Sequence, residues 1–179
     1  DEKEEVEKRA EEVRKKVDKL LKENHESVED ARRRVDKTLR ENHESVEEVK
    51  RRVDEVRRED ERLERVVREI KKRLKKLNDE SKKLSDDSKE RLKRLNEESE
   101  KVARDIKREL KRIVELVRRG DVRAEDVMEE LDRLVEDLRR KVEDSNRKIK
   151  RIVDENKREV EKSNRKLREL LKELEDRAR

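Results

Sequence analysis

The sequence of 179 residues contains no cysteine, no proline and no aromatic residue, and its only glycine is Gly120. Without cysteine there is no disulfide framework, no thiolate nucleophile and no cysteine-ligated zinc site. No apolar run approaches the roughly 20 residues of a membrane span, so we expect no membrane contact. No targeting signal is present, which leaves the localisation unknown and predicts a soluble, cytoplasmic chain on expression.

Charged residues make up 62% of the chain and hydrophobic residues only 27%. Low hydrophobicity with high charge is typical of disordered proteins. Here, however, 58 Lys and Arg nearly balance 53 Asp and Glu, and the two signs are interspersed. A composition rich in Ala, Glu, Lys, Leu and Arg, combined with helical periodicity, indicates long helices or a coiled coil instead.

The basic residues do not form the pattern of a nucleic-acid reader. No unbroken basic run exceeds three residues, as in Arg32–Arg34. Binders of single strands also use aromatic side chains on which bases stack, and this chain has none. The sequence therefore predicts a solvated surface of i,i+4 ion pairs and no specific nucleic-acid partner.

Three short segments recur, each at an offset of 18 residues. The pairs are Glu23–Glu29 with Glu41–Glu47, Leu77–Ser81 with Leu95–Ser99, and Ser145–Lys148 with Ser163–Lys166. At about 3.6 residues per turn, 18 residues complete five turns, so equivalent residues share one helix face. A strict heptad would impose a left-handed supercoil, whereas this period predicts straight helices with little supercoil.

The apolar residues follow the same period, at alternating spacings of three and four. About five of every 18 residues lie on this stripe, which predicts one narrow amphipathic face per helix. A narrow stripe suits a three-helix core. We therefore predict an all-α fold, an elongated antiparallel up-down-up three-helix bundle.

Two turns are needed to fold the stripe on itself. Gly120 predicts one turn near residues 120–122, because glycine commonly follows a helix end, and Asp121 is then the expected N-cap of the next helix. The other turn follows from register. If antiparallel helices bring similar polar motifs level, the residue numbers of opposed residues have a constant sum.

That register places His25 opposite Asn96 and His43 opposite Asn78. On the third helix, Asn146 lies opposite Asn96 and Asn164 lies opposite Asn78. It predicts the first turn near residues 58–61, with Asp60 as N-cap. The chain is then a single bundle over residues 1–179, with helices at about 2–58, 61–119 and 122–178. An uninterrupted helix over 1–119 is the competing interpretation, and it would require an oligomer.

Polar residues interrupt the stripe in two repeated layers. One layer contains Asn24, His25, Ser27, Asn96, Ser99, Ser145 and Asn146. The other contains Asn42, His43, Ser45, Asn78, Ser81, Ser163 and Asn164. A less regular set between them contains Thr38, Ser85, Ser88 and Asn156. Since an unpaired buried polar group costs about 1–3 kcal/mol, we expect lateral hydrogen-bond networks that fix register.

The two histidines admit other interpretations. A metal site is disfavoured because His25 and His43 lie about 27 Å apart on a helix, and Asn and Ser bind zinc poorly. A Ser-His-acid triad would lack an oxyanion hole, so we expect no catalytic residue, no cofactor and no enzyme. If the histidines were buried and neutral, however, the stability of the fold would decrease as the pH drops. A pH-responsive bundle is therefore an alternative.

The paired repeats, their spacing and the restricted residue alphabet resemble those of a computationally designed, de novo parametric helical bundle with buried hydrogen-bond networks. This resemblance implies a structural scaffold with no natural substrate and no required partner. A monomer is favoured. A homo-oligomer, a coiled-coil subunit that pairs with a designed partner chain, and a rod that binds polyanions are the alternatives.

Overall fold

The computed structural model describes residues 1–178 and consists of three long α-helices. Helix α1 spans Glu2–Glu59, α2 spans Glu64–Arg119 and α3 spans Ala124–Ala178. No strand occurs within the described residues. Side-chain contacts join all three helices, which confirms the predicted all-α three-helix bundle.

The first connection is a single tight turn. Asp60 has an extended backbone (φ −145°, ψ 103°), and its side chain accepts a hydrogen bond from the backbone N–H of Arg62 at 3.0 Å. This geometry confirms Asp60 as an N-cap. A turn of 3-10 helix over Glu61–Leu63 follows it, so that α2 begins at Glu64 rather than near residue 61.

The second connection is built around Gly120, which has a positive φ of 79°. Val117 O accepts from the backbone N–H of Gly120 at 3.1 Å, and Leu116 O accepts from that of Asp121 at 3.0 Å. These two bonds form a Schellman motif, which satisfies carbonyls at the end of α2. Asp121 therefore completes α2 and is not the N-cap of α3, which begins at Ala124.

The contacts group the chain into two compact units, and each contains part of all three helices. Unit 1 comprises residues 1–30 and 92–150. Its core is mainly valine from α1, with larger aliphatic side chains from α2 and α3. The fully or almost fully buried members include Val6, Val13, Val17, Leu110, Ile113, Leu131 and Leu138.

Unit 2 comprises residues 31–91 and residues 151 onward. Valine again dominates the α1 side, and leucine and isoleucine fill the space opposite. The core includes Val46, Val53, Val56, Ile70, Leu74, Leu167, Leu170 and Leu174. This division into two units does not test the prediction that the whole chain is one domain, which stays a prediction.

Ion pairs show that α1 and α2 are antiparallel in each unit. In unit 1, Arg118 Nε lies 2.6 Å from Glu7 Oε1, and Lys107 Nζ lies 2.6 Å from Asp18 Oδ1. The two residue numbers add to 125 in both pairs. In unit 2 the numbers also add to 125 in the pairs Lys71–Asp54 and Lys89–Asp36.

Helices α1 and α3 are parallel. In unit 1 Arg9 pairs with Asp132, and in unit 2 Arg52 pairs with Glu175. The residue numbers differ by 123 in both pairs. The two units therefore have the same register between α1 and α2 and the same register between α1 and α3, and together these fix the register between α2 and α3.

Candidate functional site

The polar residues of the inward face are the most distinctive feature of the fold. Nine polar residues are buried among the described residues: Asn24, Asn42, Ser81, Ser85, Ser88, Ser99, Ser145, Asn156 and Ser163. All nine belong to the sets predicted from the sequence. Six of them form three pairs separated by 18 residues, Asn24 with Asn42, Ser81 with Ser99 and Ser145 with Ser163, and the other three belong to the less regular set.

The layer in unit 2 is hydrogen-bonded across all three helices. Asn42 Nδ2 donates to Asn164 Oδ1 at 2.7 Å and approaches Ser163 Oγ at 3.4 Å. Ser81 Oγ lies 3.2 Å from Ser163 Oγ. This small network joins α1 and α2 through α3, and it confirms that buried polar side chains bond laterally in this bundle.

The equivalent residues in unit 1, Asn24, Ser99 and Ser145, are buried but make no hydrogen bonds through their side chains. Asn24 and Ser99 are 0% exposed and Ser145 is 1% exposed. Neither polar atom of the Asn24 side chain bonds to another protein group, nor does the hydroxyl of Ser99 or of Ser145. Two layers of the same composition thus differ in their hydrogen bonding.

The less regular polar set lies in unit 2 and makes few bonds. Asn156 Nδ2 donates to Ser88 Oγ at 3.3 Å, which joins α3 to α2. Thr38 instead donates to the carbonyl of Arg34 on its own helix at 2.9 Å. The buried hydroxyl of Ser85 bonds to no protein group.

Three residues predicted in the layers are exposed: His25, His43 and Asn146. His43 Nε2 lies 3.8 Å from Glu47 Oε1 on the solvent side of α1. The physical reason is rotation, because each histidine is one residue past a buried asparagine, which turns it by about 100°. The pH response expected from buried neutral histidines therefore has no basis in this burial pattern.

Five further residues predicted in the layers are half-buried: Ser27, Ser45, Asn78, Asn96 and Asn164. Ser45 donates to the carbonyl of Glu41 at 3.2 Å, and Asn96 donates to Glu100 at 3.1 Å. Both bonds stay within one helix. Within residues 1–178, Ser27, Ser45, Asn78 and Asn96 make no hydrogen bond to another helix.

The pairing of α2 with α3 differs from the predicted register. Asn78 was expected opposite Asn164, so that the two numbers would add to 242. Instead Ser81 bonds to Ser163 and Ser88 bonds to Asn156, and both pairs add to 244. Ser81 and Ser88 on α2 thus bond to α3, whereas Asn164 accepts from Asn42 on α1.

Charge is unevenly divided among the helices. Helix α2 has 21 Lys and Arg against 13 Asp and Glu, whereas α1 has 18 against 19 and α3 has 16 against 17. The excess positive charge of the chain therefore lies on α2.

Ion pairs between helices also perturb single carboxylates. The hydrogen bond from Lys71 on α2 lowers the pKa of Asp54 on α1.

No group of three or more His, Asp or Glu side chains in the described residues could hold a metal ion. None of the described helices has an apolar stretch long enough to span a membrane. Comparison of the chain with protein families, with curated proteins and with solved structures finds no match.

Proposed function

We propose that the chain is a de novo designed structural scaffold that holds three helices in a set register and has no biochemical activity of its own. One observation carries this proposal. The 18-residue period places the same polar types at the same depth in both units, with Asn24 and Asn42 each 0% exposed. Repetition at whole helical turns is what a parametric design rule produces.

A monomer is the expected state of this scaffold. The apolar stripes of the three helices cover one another, and among residues 1–178 no large hydrophobic side chain is exposed. An assembly subunit would need an apolar face left for its partner. Light scattering coupled to size exclusion should therefore give 22.0 kDa. Twice that mass would support pairing with a second copy instead.

The scaffold proposal gives the buried polar residues the task of specifying the register. The test replaces the unit 2 layer with apolar residues, in the variant Asn42→Val, Ser81→Leu, Ser163→Leu. We expect this variant to show more than one molar mass by light scattering and an NMR spectrum with poorly dispersed peaks, because alternative registers are no longer penalised. A control with alanine at the exposed His43 and Asn146 should keep both. A single, well-ordered monomer from the apolar variant would contradict the specifying role.

Non-specific polyanion binding is a second candidate, supported by the charge of α2. Within residues 65–83 it has nine Lys and Arg and three Asp and Glu. Six of these cations are exposed and make no ion pair with the described part of the chain: Arg65, Lys72, Lys75, Lys76, Lys82 and Lys83. Phosphate contacts release counterions, so binding should weaken steeply with salt.

Fluorescence anisotropy with a labelled DNA duplex of random sequence tests this candidate. Affinity that falls with the logarithm of salt concentration, and that is lost in the variant Lys72→Glu, Lys76→Glu, Lys83→Glu, would support it. A matched control reverses charges on α1, in the variant Lys8→Glu, Lys15→Glu, Lys22→Glu. Equal loss in both variants would assign the effect to net charge rather than to the α2 surface.

A further inference from the structure

The unit 1 polar layer is incomplete as a set of protein–protein hydrogen bonds. Asn24 Nδ2, Asn24 Oδ1, Ser99 Oγ and Ser145 Oγ are all buried, and none bonds to another protein group. Buried polar atoms in proteins nearly always have a partner, which is either protein or ordered water. Four such atoms in one layer therefore need a common explanation.

The three side chains lie at one level of the bundle. Asn24, Ser99 and Ser145 are each one repeat of 18 residues from Asn42, Ser81 and Ser163. In unit 2, Ser163 bonds to both Asn42 and Ser81. The ion pairs give α1, α2 and α3 the same register in both units. The side chains of the unit 1 layer therefore converge on one region of the core, as their equivalents do.

One residue distinguishes the surroundings of Asn24 from those of Asn42. In unit 2 the amide of Asn42 is bonded to Asn164, which lies half-buried beside the core. The equivalent residue in unit 1 is Asn146, and it is exposed. Asn24 thus lacks the side chain to which the Asn42 amide donates, and neither polar atom of its own side chain bonds to a protein group.

The available groups match a small neutral molecule that both donates and accepts. Asn24 offers an N–H donor and a carbonyl acceptor, and each serine hydroxyl can donate or accept. No cluster of ionisable side chains in the described residues suits a metal ion. A buried water typically makes about three hydrogen bonds to groups that otherwise lack partners.

We propose that Asn24, Ser99 and Ser145 form a binding site for one buried water molecule, which bridges α1, α2 and α3 within unit 1. The water accepts from the Asn24 amide and completes its bonding with the serine hydroxyls and the Asn24 carbonyl. In unit 2 the Asn42 amide donates to Ser163 and Asn164, and Ser81 bonds to Ser163. Of these four side chains only Asn42 leaves a buried atom, its carbonyl Oδ1, without a partner, so this layer does not offer the donors and acceptors that such a water needs. This inference does not depend on the proposed scaffold function.

The first test is a high-resolution crystal structure of the intact chain. We expect one ordered water within hydrogen-bond distance of at least two of the three side chains, and none at the equivalent position in unit 2. Direct bonds among Asn24, Ser99 and Ser145 would overturn the proposal, and so would a layer without an ordered water.

The second test counts long-lived waters in solution by oxygen-17 relaxation dispersion. The variant Asn24→Leu, Ser99→Ala, Ser145→Ala should contain one long-lived water fewer than the parent. The matched variant Asn42→Leu, Ser81→Ala, Ser163→Ala should leave the number unchanged. An equal count in the parent and the unit 1 variant would overturn the proposal.

A third measurement needs no variant and covers the case in which a variant does not fold. In the parent protein the side-chain amide protons of Asn24 should show a nuclear Overhauser effect to a slowly exchanging water. Those of Asn42 should not. The same effect at both asparagines, or at neither, would contradict the assignment of the water to unit 1.

Discussion

Asn42 on α1 donates a hydrogen bond of 2.7 Å to Asn164 on α3, and this bond connects two helices that are distant in sequence. It closes a layer in which Ser81 and Ser163 also meet. The equivalent residues of unit 1, Asn24, Ser99 and Ser145, are also buried but lack such a bond. Equivalent positions in the two layers therefore serve as matched controls for each other.

Replacing Asn164 with alanine should lower the free energy of unfolding by about 1–2 kcal/mol, because the buried amide of Asn42 loses its shortest bond. Urea titration measures this change. The control is Asn146→Ala, which removes the exposed equivalent and should change stability by no more than about 0.5 kcal/mol. Equal losses in the two variants would mean that the interhelical bond adds no stability.

Replacing Gly120 with alanine should destabilise the protein by about 1 kcal/mol, since its φ of 79° disfavours any residue with a Cβ. No atom lies within 4 Å of the position that a Cβ would occupy, so the loss is conformational and not steric. Gly120→Asn should lose less, because asparagine tolerates this region. Thermal melts of the three proteins give the ranking, and an unchanged alanine variant would contradict it.

Acid should destabilise the bundle through carboxylates whose pKa is lowered on folding. Hydrogen bonds from the Arg62 side chain and backbone lower the pKa of Asp60, and Lys71 lowers the pKa of Asp54. Their stabilisation is present above the ordinary value of 3.8 and is lost as the pH falls through the lower folded pKa.

The variant Asp54→Asn, Asp60→Asn tests this origin of the acid sensitivity. Asparagine can still cap the turn at residue 60, but it has no charge to titrate. Urea midpoints at neutral pH and at about pH 2.5 should therefore differ less in the variant than in the parent. An identical acid response would assign the sensitivity to other carboxylates.

The exposed histidines should not set the pH dependence of stability. The variant His25→Asn, His43→Asn should show the same change as the parent between about pH 7.5 and about pH 4.5, followed by circular dichroism melts. Both imidazoles are in solvent in the folded chain, so folding does not desolvate them. A clearly reduced acid sensitivity in the variant would restore the hypothesis of a histidine switch.

Side-chain depth follows the spacing closely but not at every position. Leu134 fits the alternation of three and four, yet it is half-buried and its neighbour Val135 is 8% exposed. Along α1 the predicted alternation is met by buried Val46, Val49 and Val53. Where two adjacent residues are both apolar, the spacing cannot choose between them, and the packing of the neighbouring helices does.

The sequence alone determined the helices, the turn at Gly120, the N-cap at Asp60 and the positions of the buried asparagines and serines, because these follow from local propensity and from the helical period. The tertiary structure decided which polar groups bond. It set the register of α2 against α3 at Ser81–Ser163 and left the histidines in solvent. Register is a property of three helices packed together, and a shift of one residue turns a side chain by about 100°, so no single helix contains that information.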